Sequence, residues 1–191
     1  MPAAKNISNV QQNCYFLTLK VVDWVDVFIR PVYKNVIVDA LNFFAEKEKL
    51  IIYSWCLMSN HLHLLAKLSE NYQWPVLLRE FKRLSSKEIF AALDDELEPE
   101  CRRGWMMQRF QSPVGVTRRV GKCSFWQDGN HPVLIKDEEP MDILRQINFI
   151  HENPVRCLIV DKPESYIYSS ARDYRGEKGI VRVSPFSVLS K

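Results

Sequence analysis

The sequence predicts an α+β domain in which helices pack on one face of an antiparallel sheet. Three observations favour it: β-forming segments alternate with helical ones, two predicted strands are joined by only three residues, and 191 residues suffice for one domain with a real core. The elements follow in the order β-α-β-β-α-insert-β-α. The ferredoxin-like fold is the simplest layout with that order.

The first half of the chain supplies three strands and two helices. Residues 13–22 are rich in β-formers, and a turn over 25–30 leads to Pro31, which can open a helix to about Lys49. Residues 50–57 and 61–68 predict a strand hairpin. A helix with a regular apolar face should then run from about Trp74 to Leu93.

The second half is less regular. We predict a short helix over 98–110, a fourth strand within 125–135, and a helix over 138–153 that Asp137 caps and Pro154 ends. The whole chain, 1–191, is then one domain with a basic insert over about 95–124 and a C-terminal tail over about 160–191.

The composition is that of a globular protein, and a net charge of +3 is too small to imply nucleic-acid binding by itself. The five cysteines are scattered and form no CxxC pair, which favours reduced thiols over a disulfide frame or a structural zinc site. The first residues are polar and lack the apolar segment of a signal peptide. We therefore expect a cytoplasmic protein.

The distribution of charge is more informative than its sum. Between Cys101 and Gln127 the chain has no acidic residue and six basic ones. These are Arg102, Arg103, Arg109, Arg118, Arg119 and Lys122. Such a stretch is either a solvated loop or an arm that contacts phosphates, and the sequence leaves both interpretations open.

Two histidines stand in the third predicted strand, at His61 and His63. Because side chains alternate along a strand, both point to one face while Leu62 points to the other. Two imidazoles so placed can ligate one divalent metal ion. Spacing alone favours the simpler interpretation, two strand histidines that face water.

The last predicted helix has an unusual aromatic residue. Its apolar stripe is Ile143, Ile147 and Ile150, and Phe149 lies almost opposite that stripe at about 100° per residue. An aromatic ring on a polar face either contacts another element or a partner, or marks a site. The pattern alone favours the first interpretation, a contact with another element or a partner.

The segments 53–65, 125–132, 149–156 and 168–174 form four ordered blocks. Through these blocks the chain resembles the IS200-like and REP-associated transposases, the single-tyrosine HUH family. Residues 53–65 (YSWCLMSNHLHLL) are similar to the family's HUH strand, and 125–132 (FWQDGNHP) to its FWQ…H block. Residues 149–156 (FIHENPVR) and 168–174 (YSSARDY) resemble its Y-I-H-x-N-P-V-[RK] block and its W/Y-S-S-A-R-x-Y tail. The resemblance runs from about residue 15 to 174.

This resemblance implies a ferredoxin-like or RRM-like antiparallel sheet with the histidine pair on a central strand. It also implies a divalent metal, Mg²⁺ or Mn²⁺, held by His61, His63 and Asn153, and a partner that is single-stranded or hairpin DNA. In the family the metal polarises the scissile phosphate and a tyrosine attacks it, which gives a 5′-phosphotyrosine and a free 3′-OH. Relatives are monomers or homodimers, so either state is expected here.

The chain departs from the family at the nucleophile, because Phe149 stands where the tyrosine should be. A phenyl ring cannot attack phosphorus, so we predict DNA binding with cleavage lost. The substitution is either engineered or natural. Another tyrosine could serve instead, and the candidates are Tyr53, Tyr166, Tyr168 and Tyr174.

We predict DNA contacts from the six basic residues above and from Arg156 and Arg172 in the matching blocks. Trp126 could stack on an unpaired base or belong to the core. Two other functions remain open: a non-catalytic DNA-binding regulator derived from a transposase, and an RNA-binding RRM-like module, which the lack of evident RNP aromatics disfavours.

Overall fold

The structure is a computed structural model that describes residues 14–70, 72–97, 99–111, 123–135 and 140–186. Its strands are β1 (Tyr15–Lys20), β2 (Leu50–Leu57), β3 (His61–Leu68) and β4 (Val133–Leu134). Its α-helices are α1 (Pro31–Glu46), α2 (Trp74–Leu93), α3 (Arg103–Gln111) and α4 (Pro140–Arg156). Single 3₁₀ turns form at Val22–Trp24, Pro163–Ser165 and Asp173–Arg175.

The four strands form one antiparallel sheet in the order β2-β3-β1-β4. This is the arrangement expected for a ferredoxin-like α+β fold, so the predicted fold class is confirmed. β3 is hydrogen-bonded on both sides, to β1 and to β2, and is an interior strand. β4 is short, and its two residues pair with Tyr15 and Phe16 of β1.

One face of the sheet carries the main apolar core. Leu17 and Leu19 of β1 lie opposite Leu64 and Leu62 of β3, and all four are at most 3% exposed. Two helices cover this face: the Trp74 ring of α2 contacts Tyr15 of β1 at 5.4 Å, and ring contacts join α1 to α2. Burial of this continuous apolar surface is the main stabilising contribution to the fold.

The prediction that helices pack on one face holds for α1 and α2 and is wrong for α4. The Phe149 ring of α4 contacts His63 and Phe16, which belong to the opposite face. This helix is amphipathic, with Ile143, Ile147 and Ile150 at most 2% exposed against the sheet. An apolar stripe requires a partner surface but does not state which face of the sheet supplies it.

A β-bulge in β2 determines which of its side chains lie on the face that α4 covers. Ile52 pairs with Ala66 and Ser54 with Leu65, so Tyr53 is an extra residue between two register positions. Because alternation restarts after the bulge, Ser54 and Cys56 share the face of His63 and leave Trp55 on the α1–α2 side. A polar side chain is thereby placed under α4.

α4 does not end before Pro154, contrary to prediction, but continues to Arg156. Proline lacks the N–H that would bond the carbonyl four residues earlier, which is Ile150. The Asn153 side chain offsets this loss, because its Nδ2 donates to the carbonyls of Phe149 (2.7 Å) and Ile150 (3.4 Å). The predicted cap Asp137 lies outside the described residues.

The C-terminal tail covers the outer edge of β2. The Leu57 N–H donates to the Tyr168 carbonyl, the Ser170 N–H to the Trp55 carbonyl, and the Ser184 N–H to the Ile52 carbonyl. An open sheet edge would otherwise present unpaired backbone groups to other chains. The predicted short turns of the tail are therefore a structural part of the sheet.

Candidate functional site

His61 and His63 lie on the α4 face of β3, opposite Lys20 and Thr18 of β1. Their ring centroids are 4.7 Å apart, with the ring planes at 78°. Strand alternation therefore places both imidazoles on one face, as the sequence predicts. They stand close enough to share one bound ion.

The hydrogen bonds of Asn60 determine which ring nitrogen of His61 carries the hydrogen. The Asn60 Nδ2 donates to the Asp26 carboxylate at 2.8 Å, so its Oδ1 must be the atom that lies 2.7 Å from His61 Nδ1. An amide oxygen only accepts, and Nδ1 therefore carries the hydrogen. Burial, followed by the charge of Lys20, lowers the pKa of His61. The neutral ring then presents its Nε2 lone pair, as metal-binding histidines do.

His63 is held from β1. Its Nδ1 lies 2.9 Å from the Thr18 hydroxyl, and its ring stacks on Phe16 at 5.6 Å. Burial and the neighbouring His61 lower the pKa of His63 to about 3. Both imidazoles are thus neutral near pH 7 and do not repel a cation.

Phe149 lies directly beside this pair. Its ring centroid is 5.5 Å from His63 and 6.1 Å from Phe16, and the residue remains 36% exposed. The Arg156 guanidinium stands 5.5 Å from the centre of the same ring. The ring on the polar side of α4 is therefore neither a core residue nor remote from the histidines.

Asn153 shares a helix face with Phe149, one turn later along α4. Its nitrogen is bound to the helix backbone, which leaves the amide oxygen as the group that can bind a ligand. Within the described residues, no group of three or more His, Cys, Asp or Glu side chains is placed to hold a metal ion. Two neutral imidazoles and a neutral amide oxygen nevertheless fit a divalent cation whose other ligands come from water or phosphate.

The alternative tyrosines are placed elsewhere. In the tail, Tyr166 is buried and Tyr174 is half-buried, and their hydroxyls donate to the carbonyls of Leu57 and Tyr53, respectively. Burial raises the pKa of Tyr166 and raises that of Tyr174 to about 12. The Tyr168 hydroxyl lies 3.5 Å from Asn35 of α1. None of these contacts involves His61 or His63.

Two of the predicted DNA-binding side chains have internal partners instead. Trp126 is 3% exposed, and its Nε1 donates to the Ser85 hydroxyl, so this ring cannot stack on a base without unfolding its surroundings. Arg102 donates from Nε and Nη2 to the carboxylate of Glu100, and from Nη1 to the Asp26 carbonyl at 2.7 Å. Trp126 therefore supports the core, and Arg102 supports a loop.

The remaining predicted contacts divide by position. Arg103 pairs with Asp94, and Arg172 with Glu177, both at partly exposed sites where such pairs add little stability. Arg109 lies over Trp105, and Arg156 over Phe149. Arg118, Arg119 and Lys122 lie outside the described residues. Of the predicted cations that the structure describes, Arg156 is the one that contacts a ring beside the histidines.

A buried polar cluster that the sequence did not predict joins α4 to β2 and the tail. His151 Nε2 lies 2.8 Å from the Ser170 hydroxyl and 3.0 Å from that of Ser54, and the His151 ring contacts Tyr174. Burial lowers the pKa of His151 to about 4, so the ring is neutral. His151, Ser170 and Tyr174 all stand in the blocks at 149–156 and 168–174, which is the one signal that could have linked them.

The family model described as "Transposase IS200 like" matches residues 23–117, about half of the chain. The chain belongs to this IS200-like transposase family. The match contains the histidine strand, whereas α4 and the tail lie beyond it.

Among solved structures, the chain is similar to a REP-associated tyrosine transposase bound to a REP hairpin. The TM-score is 0.59 at 15% identity, with 100% of this chain and 96% of that chain covered, which establishes likeness of fold. A candidate transposase from Deinococcus radiodurans R1 is 14% identical over 79% of this chain and 98% of its own, with a TM-score of 0.44. No curated protein sequence matches the chain significantly. In the described part of the chain, no helix is both long and apolar enough to cross a membrane.

Proposed function

We propose that this transposase-family protein binds single-stranded or hairpin DNA at the His61–His63 face and does not cleave it. The observation that carries the proposal is the position of Phe149, whose ring lies 5.5 Å from that of His63 on a solvent-accessible face. The fold of a structure described as bound to a REP hairpin supports DNA as the ligand.

His61, His63 and Asn153 would hold a divalent cation, Mg²⁺ or Mn²⁺, which supplies Lewis-acid polarisation of a bound phosphate. The contacts of the chain's own residues support this assignment. Asn60 and Thr18 orient the two imidazoles, and Asn153 lies one turn after Phe149, whose ring contacts His63. Arg156 is exposed next to Phe149 and can pair with a phosphate oxygen of the same nucleotide.

Cleavage requires an oxygen nucleophile at the Phe149 position. With a tyrosine there, its oxygen would bond to phosphorus as the bond from phosphorus to the 3′ oxygen breaks, which leaves a covalent 5′ adduct and a free 3′-OH. Phenylalanine keeps the ring and lacks that oxygen. The phosphate is therefore bound and positioned but not attacked.

The test is the Phe149→Tyr variant, incubated with a DNA hairpin that carries single-stranded flanks and with Mn²⁺. We expect a covalent protein–DNA species on a denaturing gel, and none from the unsubstituted chain. The matched control is Phe16→Tyr, because Phe16 also contacts His63 but lies on β1 rather than α4. An adduct from the control, or none from Phe149→Tyr on DNA that it binds, would contradict the proposed geometry.

The phenylalanine at position 149 also favours a second candidate function, a DNA-binding regulator that has lost catalysis altogether. In that case Phe149→Tyr binds the hairpin with unchanged affinity and still gives no adduct. Competition with an RNA hairpin of matched sequence separates both from an RRM-like module, since RNA would then displace the DNA.

A further inference from the structure

Trp24 is an exposed aromatic residue in a strained turn next to the candidate site. Half of its surface (50%) is accessible, in a chain whose other aromatic residues include many that are fully buried. Asp23 and Trp24 have φ angles of 52° and 55°, in the left-handed region that residues other than glycine rarely adopt. Such backbone persists only where its surroundings hold it, and it is concentrated at ligand sites.

Side chains from two other segments, Asn60 before β3 and Arg102 before α3, hold the backbone at this turn. The Asn60 Nδ2 donates to the Trp24 carbonyl at 3.3 Å, and the same side chain orients His61. Arg102 donates to the Asp26 carbonyl at 2.7 Å, while its other nitrogens are bound to Glu100. The indole is thereby fixed with its centroid 6.0 Å from that of His61, edge to face.

A cation stands over the indole. The Lys20 Nζ lies 4.7 Å from the ring centre, and Lys20 is the residue directly opposite His61 in the β1–β3 ladder. A flexible ammonium held on an exposed ring by a cation–π contact can move to a phosphate at small cost. The ring, the ammonium and the imidazole therefore form one patch at the same end of the sheet.

We propose that Trp24 is the stacking platform for one unpaired base of single-stranded DNA, at the nucleotide next to the phosphate bound by His61 and His63. Lys20 contacts the backbone phosphate of that nucleotide. A base has a π-face and a nearby anionic phosphate, which match an indole and an ammonium side by side. The inference rests on the proposed function and deepens it, because it separates recognition of the single-stranded flank from recognition of the hairpin stem.

The experiment compares two DNA ligands on the full chain: a hairpin with single-stranded flanks and the same hairpin without them. For Trp24→Ala we expect an affinity for the flanked hairpin lower by about 5-fold to 150-fold, the range for loss of one stacked base, and little change for the blunt one. Trp24→Phe, which keeps an aromatic face, should restore most of the loss. Phe43→Ala is the matched control, since Phe43 is a similarly exposed aromatic residue (43%) on α1.

A second measurement locates the base directly. A flank that carries 2-aminopurine at one position at a time should be quenched by the unsubstituted chain at a single position, and Trp24→Ala should abolish that quenching while the DNA remains bound. Lys20→Ala should reduce the slope of log affinity against log salt by about 0.7, the value for one phosphate of a single strand.

The outcomes separate the inference from the proposed function. If the unsubstituted chain binds neither hairpin, both fail. If it binds the flanked hairpin and Trp24→Ala binds it equally well, or loses affinity equally for both hairpins, DNA binding stands and the Trp24 platform is wrong.

Discussion

Removal of the Ser170 hydroxyl should loosen α4 from the sheet and lower the stability of the whole domain. This hydroxyl is fully buried and accepts a hydrogen bond from the Trp55 N–H at 2.9 Å. It also contacts His151 Nε2 at 2.8 Å and the Ser54 hydroxyl at 3.2 Å. One small side chain of the tail therefore connects β2 and α4.

The cost of Ser170→Ala can be estimated from those contacts. A buried N–H left without a partner costs about 1–3 kcal/mol, and Trp55 would be in that position. His151 keeps its contact with Ser54, so its loss is smaller, about 1 kcal/mol. We expect the free energy of unfolding to fall by roughly 2–4 kcal/mol, which corresponds to a decrease of about 1–2 M in the urea midpoint.

The matched control is Ser169→Ala. Ser169 is equally buried, but its hydroxyl accepts from the Ala171 N–H within its own turn at 3.2 Å and hydrogen-bonds the Cys56 thiol, which is a weak hydrogen-bonding group. It should cost about 1 kcal/mol. Urea denaturation followed by circular dichroism measures both. In the Phe149→Tyr background, Ser170→Ala should also slow adduct formation under conditions where the protein remains folded. If Ser169→Ala is as destabilising as Ser170→Ala, the argument that the cluster joins three elements is refuted.

Two further predictions concern the groups that support the site. Thr18→Val keeps the shape of the side chain but removes the partner of His63 Nδ1. Affinity for Mn²⁺ should fall by about 10-fold to 100-fold, and the free energy of unfolding by about 1 kcal/mol. Unchanged affinity in a titration would exclude the orienting role. The Arg102 guanidinium, through its hydrogen bonds to the carboxylate, lowers the pKa of Glu100 to about 2 from 4.5. Because the folded-state pKa is the lower one, the stabilisation is present above pH 4.5 and is lost as the pH falls towards 2. Glu100→Gln should therefore lower the free energy of unfolding at pH 7 by roughly 1–3 kcal/mol. It should also make that free energy depend less on pH below about 5. Urea midpoints that keep the acid dependence of the unsubstituted chain would count against the Arg102–Glu100 ion pair as its source.

The bounds of the regular elements followed closely from the sequence. β2, β3 and α2 begin and end where the local pattern predicts, because strand alternation and helical periodicity are properties of neighbouring residues. The same alternation predicts that His61 and His63 share a face. The helix position of Phe149, opposite an isoleucine stripe, is likewise a local property, and the ring does contact His63.

Tertiary structure decided which side of the sheet each side chain faces and which partners it contacts there. A single extra residue, Tyr53, resets the alternation of β2, and this places Ser54 under α4 on the face opposite α1 and α2. The basic character of Arg102 suggests a phosphate contact, but an acidic neighbour two residues away binds its guanidinium. Trp126 and Trp24 are both tryptophans near turns, yet one is buried against Ser85 and the other is exposed beside His61.

The sequence by itself therefore determined the order of elements, the family resemblance, the paired imidazoles and the missing hydroxyl at position 149. Only the tertiary structure decided which side of the sheet α4 covers, which cations and indoles remain accessible, and how the tail fixes the helix. The physical reason is that periodicity is set by adjacent residues, whereas burial and ion pairing depend on contacts between residues distant in sequence, such as His151 with Ser54.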